Sequence, residues 1–137
     1  MRKVEAGMVC AIHGAIHSDK SGRIYSCGNT SVDIIHEGVR NTYTYNRYIE
    51  VNLHGNTIAT IYPDLNRIKL SDCGYETATT KSRLNVLLDC FTDESRVNQA
   101  QHVWYIGTEL WPGTVTVSFC HKHPDDCWQV KQALKLA

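Results

Sequence analysis

Residues 41–62 carry the clearest pattern of hydrophobic and polar positions in the chain. The residues of one parity are mostly apolar or aromatic: Tyr43, Tyr45, Arg47, Ile49, Val51 and Leu53. The other parity is mostly polar, which predicts a strand with one solvent-facing side. The His-Gly-Asn segment at 54–56 interrupts the pattern with residues that favour tight turns. Ile58 and Ile61 continue it, so the stretch predicts a long β-hairpin.

Other stretches predict the rest of the architecture. Segments rich in β-branched and aromatic residues indicate strands at about 31–38, 66–71, 102–107 and 113–119. The period changes near residue 80, where apolar residues recur at helical spacing and predict a helix over about 80–91, capped by Thr79 or Thr80. A polar segment at 93–100 is expected to be a connection or a weak helix.

The C-terminal tail predicts a second helix over about 125–136. Pro124 and two aspartates suit its first turn, and lysines come later, which matches the helix dipole. Strands and helices in this order, without regular βαβ alternation, predict an α+β fold with an antiparallel sheet of about five or six strands built around the hairpin. The expected core is Leu53, Ile58, Ile68, Leu70, Leu84, Leu87, Leu88 and Phe91.

Composition limits the possible functions. The 137 residues suit one domain spanning 1–137. Fourteen basic and fourteen acidic residues give no net charge, so a binding site for a polyanion has to be a local patch. The sequence has neither an apolar run of about 18 residues nor the features of a signal peptide. We therefore expect a cytoplasmic protein without a membrane partner, in which the six cysteines are mostly buried free thiols.

The start of the 80–91 helix is a candidate anion site. Lys81 and Arg83 lie in its first turn, where the dipole disfavours cations. A bound phosphate would offset that repulsion, and the hydroxyls of Thr79 and Thr80 would add donors to the free amides. Alternatively, the threonines only cap the helix and the two cations form a solvated face, because the dipole penalty is only about 0.3–1 kcal/mol each.

The predicted hairpin would extend this surface toward a nucleic acid or nucleotide. Arg47 would add a cation, and Tyr43 with Tyr45 would add stacking groups. Tyrosines in strands also serve as packing residues, so the support is indirect.

A second candidate site lies between the last strand and the last helix. Four residues of zinc-binding types occur there: Cys120, His121, His123 and Cys127. Their spacing differs from that of standard structural zinc sites, and four ligands within residues 120–127 leave little room. A disulfide between Cys120 and Cys127, or free thiols, are the alternatives.

Two further histidines, His13 and His17, would share one face of a helix at a spacing that metal sites use. Gly14 weakens a helix there, so we expect an extended segment with ordinary exposed histidines. No Gly-rich phosphate loop, nucleophile elbow or HExxH motif occurs. An enzyme is therefore not favoured, although a catalytic Cys and His need to be adjacent only in the fold and not in the sequence.

Three segments between about residues 28 and 88 resemble a family of small phage and prophage proteins of unknown function. They are "GNTSV" at 28–32, "VNLHGNTIA" at 51–59 and "IKLSDCGYETATTKSRLN" at 68–85. The family has a GNT-V strand, an LHGN-IA hairpin and a GW-T-TTK-RLN block that opens a helix. Tyr75 stands where the family usually has tryptophan. The resemblance implies phage origin, a hairpin-plus-helix unit and a role of the host-takeover or counter-defence kind.

These observations support three hypotheses. The first is a phage accessory protein that binds a nucleic acid or nucleotide, or a host defence protein that handles one, through the 79–83 helix start. The second is a protein–protein inhibitor without an anion site, as a single chain or a homo-oligomer, which binds through an exposed aromatic surface of Tyr43, Tyr45, Trp104 and Trp111. The third is a zinc-dependent domain that uses the 120–127 cluster.

Overall fold

A computed structural model describes residues 1–121 and 128–136. It contains three helices, α1 (Lys3–Ala15), α2 (Ala78–Phe91) and α3 (Trp128–Leu136), and a 3-10 turn at Pro63–Leu65. The strands are β1 (Gly22–Cys27), β2 (Thr30–Glu37), β3 (Asn46–Leu53), β4 (Asn56–Tyr62), β5 (Arg67–Ser71), β6 (Val97–Ala100), β7 (Val103–Ile106), β8 (Glu109–Leu110) and β9 (Thr114–Ser118).

Six strands form the main sheet, in the order β1-β2-β3-β4-β5-β9, and every neighbouring pair is antiparallel. The first five strands follow chain order, and β9 returns to the open side of β5 after α2 and a small sheet. The predicted α+β class is confirmed. The predicted core is confirmed as well, because all eight residues are at most 4% exposed.

The first hairpin strand begins later than predicted, at Asn46 rather than near residue 41. Residues 39–45 form a loop, in which the Thr42 hydroxyl donates to the carbonyl of Val39 at 2.6 Å and accepts the amide of Thr44 at 3.3 Å. These side-chain bonds compete with a strand ladder. Polar and aromatic residues still alternate within this loop, but the alternation does not correspond to a strand there.

Helix α1 was not predicted from the sequence pattern, and the extended segment expected around His13 and His17 is wrong. Ala6, Met8, Val9 and Ile12 are fully buried on one side of this helix, so its apolar face packs on the core. Gly7 allows close packing on the main sheet, because an added Cβ would lie 2.5 Å from the Tyr25 hydroxyl oxygen. Gly14, whose helix propensity is poor, sits near the C-terminal end where its cost is small.

The small sheet, in the order β6-β7-β8, is separate from the main sheet. The predicted strand at 102–107 corresponds to β7, and the segment expected to be a connection or weak helix ends in β6. The C-terminal helix is observed from Trp128, and residues 122–127 lie outside the described part of the chain. Among the described helices, none combines the length and apolarity needed to cross a bilayer.

Candidate ligand-binding site

A cavity of about 480 Å³ opens where three separate segments of the chain meet. The segments are the β3–β4 turn, the loop after β5 and the start of α2. The residues that line the cavity are Leu53, His54, Asn56, Ile58, Asp72, Cys73, Tyr75, Thr77, Thr79 and Thr80. Its volume falls within the range of about 300–1,000 Å³ that is usual for small-molecule sites.

The N-terminal end of α2 faces this cavity. Thr77 is the N-cap, and its hydroxyl oxygen accepts the amide of Thr80 at 3.1 Å. The cap therefore lies two residues before the earlier of the two predicted positions. No acidic residue occupies the first turn, and the amides of Ala78 and Thr79 have no acceptor among the described residues. Amides at a helix start bind anions or water.

The loop after β5 is held by a buried carboxylate. Asp72 is 6% exposed, and its two oxygens accept the amide of Gly74 and the indole N–H of Trp111, each at 2.8 Å. Cys73 follows in the left-handed region with φ 55°, and its thiol donates to the carbonyl of Thr57 at 3.0 Å. Because both oxygens of Asp72 already accept hydrogen bonds, this carboxylate acts as a structural support of the cavity wall.

A chain of hydrogen bonds runs from the protein interior to the cavity. It begins at Glu5, which accepts from Arg83 at 2.8 Å between two side chains that are 2% and 5% exposed. The Arg83 Nε then donates to the Thr30 hydroxyl at 3.2 Å. Thr30 donates to the Asn29 side-chain oxygen at 3.1 Å, and the Asn29 nitrogen lies 3.0 Å from Nε2 of His54.

This hydrogen-bond chain fixes the tautomer of His54, which lines the cavity. Because the Asn29 oxygen accepts from Thr30, its nitrogen faces His54, and an amide nitrogen only donates. Nε2 of His54 therefore accepts, which places the proton of the neutral imidazole on Nδ1. The hydrogen-bond chain joins the three segments that resemble the phage family. Asn29 and Thr30 belong to the first segment, His54 to the second and Arg83 to the third.

The inner end of the chain is electrostatically balanced. Burial alone would raise the pKa of Glu5, but hydrogen bonds from Ser82, the Arg2 amide and Arg83, together with the charge of Arg83, lower it below its ordinary value. Glu5 therefore stays ionised at neutral pH. A buried ion pair of this kind holds its partners rigidly, because either charge alone would be costly to bury.

The structure separates the residues predicted for the anion site. Thr79 and Thr80 line the cavity. Lys81 instead turns toward the small sheet, where its ammonium lies 3.3 Å from Gln99 Oε1 and 5.9 Å from the Trp104 ring centre. Arg83 is 4% exposed, so its expected position on an exposed surface is wrong. Its guanidinium is directed into the core by the carboxylate of Glu5.

The hairpin residues proposed as support have other positions. Arg47 donates to the carbonyls of Ala15 at 2.8 Å, Ser18 at 3.1 Å and Ile16, so it caps the C-terminal end of α1. A cation there complements the helix dipole. Tyr43 lies in the 39–45 loop with its side chain fully exposed, and neither residue lines the cavity.

The aromatic surface expected for a protein partner is mostly internal. Trp104 and Trp111 are 4% and 5% exposed, so their predicted exposure is wrong. The Trp111 indole supports Asp72, and the Trp104 ring covers the side chain of Lys81. Tyr45 is half-buried, with its hydroxyl against Nδ1 of His36. Of the four, only Tyr43 is exposed.

The two histidine-containing segments meet in the fold. Nε2 of His121 lies 2.5 Å from Nδ1 of His13, and the rings of His17 and His121 are 6.0 Å apart. Burial, and secondarily the charge of His121, lower the pKa of His13 to about 4. His123 and Cys127 lie outside the described residues. Within residues 1–121 and 128–136, no group of three or more His, Cys, Asp or Glu side chains is arranged to hold a metal ion.

A larger cavity of about 690 Å³ lies between α1, α2 and α3, next to Arg2, Asp89, Arg96 and Trp128. Its charged groups are of both signs, and Asp89 pairs with Arg96 at 3.2 Å. The smaller cavity is the stronger candidate because it combines a helix start, an oriented imidazole and an apolar wall. Sequence reasoning treated His54 only as a turn residue and missed Asn29 and Glu5, whose roles depend on distant partners.

The comparison with protein families agrees with the phage resemblance. The family described as Kyanoviridae Gp96 protein matches residues 1–123. The chain therefore belongs to this family of phage proteins. The match extends well beyond the segment of about 28–88 that carried the resemblance. No curated protein and no solved structure matches the chain.

Proposed function

We propose that this member of the Kyanoviridae Gp96 protein family is an accessory protein that acts in the host cytoplasm by binding, and that its ligand carries a phosphate group held at the start of α2. A nucleotide, or the end of a nucleic acid, fits the chemistry best. The observation that supports this most directly is the convergence of donors around one cavity of about 480 Å³.

The donors come from two directions. The amide and the hydroxyl of Thr79, which lines the cavity, lie at the positive end of the α2 dipole, where anions are stabilised. His54 would add the N–H of Nδ1, because Asn29 donates to the other ring nitrogen, Nε2. Lysine and arginine are absent from the described lining residues, so the site suits one phosphate group better than a polyanion. Thr79 and Thr80 remain in the proposed site, whereas Lys81, Arg83, Arg47 and Tyr43 do not.

The rest of the cavity suits an aromatic ring. Tyr75 is 58% exposed and lines the cavity together with Leu53 and Ile58. A nucleobase stacked on an aromatic side chain gains about 1–3 kcal/mol. A nucleotide would then contact both sides of the cavity, with its phosphate at the start of α2 and its base on Tyr75. A protein that withholds or senses such a ligand would serve host takeover or counter-defence.

The test is a calorimetric titration of the full chain with inorganic phosphate and with nucleoside mono-, di- and triphosphates. We expect a nucleotide to bind more tightly than phosphate alone. His54→Ala and Thr79→Val should each weaken binding by about tenfold, the equivalent of one lost hydrogen bond to a charged group. His102→Ala is the matched control, because His102 is another exposed histidine in a turn outside the cavity.

Two results would contradict the proposal. One is the absence of heat with every phosphate compound tested. The other is equal affinity in the wild type, His54→Ala and Thr79→Val, which would place any binding elsewhere. Lys81→Ala distinguishes an anion site that includes Lys81 from one that does not. A large loss of affinity in this variant would show that Lys81 belongs to the site.

A protein–protein inhibitor is the second candidate, and the fully exposed Tyr43 favours it. Val39, at the start of the 39–45 loop, is also exposed, at 65%, and exposed aromatic residues are typical anchors of interfaces. Affinity for a host protein that falls with Tyr43→Ala but hardly changes with salt would support it, because phosphate contacts weaken steeply with salt. Retention of full affinity in Tyr43→Ala would exclude this loop.

A zinc-binding domain is the third candidate, and the meeting of His121 with His13 favours it. Zinc there would connect α1 to the segment that leads to α3. Metal analysis of protein purified without a histidine tag tests the idea. One equivalent of zinc that is lost in His13→Gln would support it, and zinc well below one equivalent would exclude it.

A further inference from the structure

We propose that the outer edge of β9 is an interface between two copies of this chain, which pair their β9 strands antiparallel about a two-fold axis at Thr116. The inference is independent of the ligand-binding cavity. It follows from the difference between the two edges of the main sheet.

The β1 edge has features that prevent strand addition. Its register shifts between Arg23 and Tyr25, and Arg23 forms an ion pair with Asp33 at 2.9 Å. The Tyr25 hydroxyl donates to the carbonyl of Val4, which ties the strand to α1. Bulges and charged side chains are common devices by which proteins protect an exposed edge.

The β9 edge has none of these features. Its five residues are Thr, Val, Thr, Val and Ser, without a charge or a proline. Its register with β5 is regular from Thr114 to Ser118. An uncharged edge with a regular register and many β-branched residues readily accepts another strand.

The register shows which backbone groups face outward. The Asp72 amide donates to Gly113, and the Phe119 amide donates to Asn66. In an antiparallel ladder, alternate residues direct both their N–H and C=O groups to the same neighbour. Odd-numbered residues of β9 therefore bond to β5, and the even-numbered ones direct these groups to the open edge. Among the described residues, no backbone group from outside the strand bonds to that edge.

A second copy is the partner that this edge fits best. A two-fold axis at Thr116 pairs Thr116 with itself, Thr114 with Ser118 and Val115 with Val117 of the other copy. The three pairs of even-numbered residues are then the hydrogen-bonded ones, which gives about six interchain bonds. Thr–Thr and β-branched pairs are favourable across strands, and the uncharged edge brings no like charges together.

The dimer would also complete the core at this edge. Val115 and Val117 lie opposite the buried Leu70 and Ile68, but are themselves only partly buried. A neighbouring strand about 4.8 Å away would cover both side chains. The two sheets would become one continuous sheet of twelve strands, twice the six of one chain.

The experiment is sedimentation of the full chain over a micromolar to millimolar concentration series, with three variants. We expect the wild type to form a dimer. Thr116→Pro removes an outward N–H without removing a bond to β5, and Thr116→Glu places two carboxylates opposite each other on the axis. Each should weaken the dimer by about tenfold or more.

Thr60→Glu is the control for a carboxylate placed on the sheet away from the edge. Thr60 and Thr116 both lie beside Lys69, on its two sides, so a new carboxylate gains the same lysine neighbour. At position 60 the carboxylate also lies opposite Glu50 of β3, so the folding of this variant is checked by circular dichroism first. Thr60 is two strands from the edge, and its variant should dimerise like the wild type. A wild type that stays monomeric throughout, or a dimer unaffected by both Thr116 variants, would overturn the proposal.

Hydrogen exchange of the wild type gives an independent test if a Thr116 variant fails to fold. The amides of Thr114, Thr116 and Ser118 should exchange more slowly as protein concentration rises, while exposed loop amides should not change. Exchange at these three amides that is fast at every concentration would exclude pairing through β9, including pairing in a dimer formed elsewhere.

Discussion

Two of the polar contacts between α1 and distant parts of the chain differ in how fully their groups are satisfied. At the first turn, Glu5 accepts from Arg83, Ser82 and the Arg2 amide. Near the other end, His13 meets His121, and Nε2 of His13 is buried without a hydrogen-bond partner in the described structure.

This difference shows that the Glu5 contact is structural and that the His13 contact responds to pH. The Glu5–Arg83 ion pair is linked by hydrogen bonds through Thr30 and Asn29 to the cavity. Each group in this series of hydrogen bonds has a complementary partner. A satisfied buried network fixes one arrangement of its members. The histidine contact is stable only while His13 is neutral, because a proton on it would be poorly solvated and would face His121.

The largest expected loss of stability follows from breaking the Glu5–Arg83 ion pair. Arg83→Ala leaves the Glu5 carboxylate buried without its cation, and the free energy of unfolding should fall by about 3–5 kcal/mol. Urea denaturation followed by circular dichroism measures the change. The same truncation at Arg23, whose pair with Asp33 is exposed, should have a much smaller effect. Similar losses in the two variants would mean that the Glu5–Arg83 pair is well solvated.

The second effect is a pH dependence at His13. Its folded-state pKa of about 4 lies below its ordinary value of 6.5. Between these values the unfolded chain binds a proton that the folded chain does not, so stability is complete above pH 6.5 and falls as the pH drops toward 4. The lowered pKa of Glu5 acts in the same direction at more acidic pH.

Denaturation curves at a series of pH values, for the wild type and His13→Gln, measure this contribution. The variant should lose less stability than the wild type as the pH falls, because it removes the group that takes up the proton. His102→Gln, which alters an exposed histidine, should behave like the wild type. Parallel curves for the wild type and His13→Gln would contradict the assignment.

The smallest expected loss of stability comes from a variant that tests the link between the hydrogen-bond chain and the cavity. Asn29→Ala removes the bonds to Thr30 and His54, and should cost about 0.5–1.5 kcal/mol of stability. The turn should persist, because the His54 amide still donates to the Asn29 carbonyl at 2.8 Å. Nitrogen NMR of His54 should show a proton on Nδ1 in the wild type and a mixture of tautomers in the variant. An unchanged tautomer would show that Asn29 does not orient the ring.

The local pattern predicted elements whose signal is short in range. Alternation revealed the hairpin, and the leucine spacing revealed α2, because side-chain burial follows the period of the backbone. The pattern failed at α1, where Gly14 and two histidines concealed an apolar face. It also failed at the tyrosines of the 39–45 loop, which alternate without belonging to a strand.

The sequence by itself therefore determined the α+β class, the eight predicted core residues in β3, β4, β5 and α2, and the segments that surround the cavity. The tertiary structure decided what the polar residues do. Arg83 seemed a surface cation until Glu5, 78 residues away, proved to be its partner, and Arg47 seemed a ligand contact until the carbonyls at the end of α1 met it. Local periodicity records whether a side chain is buried, but a charged or hydrogen-bonding group takes its role from partners that only the folded chain brings near.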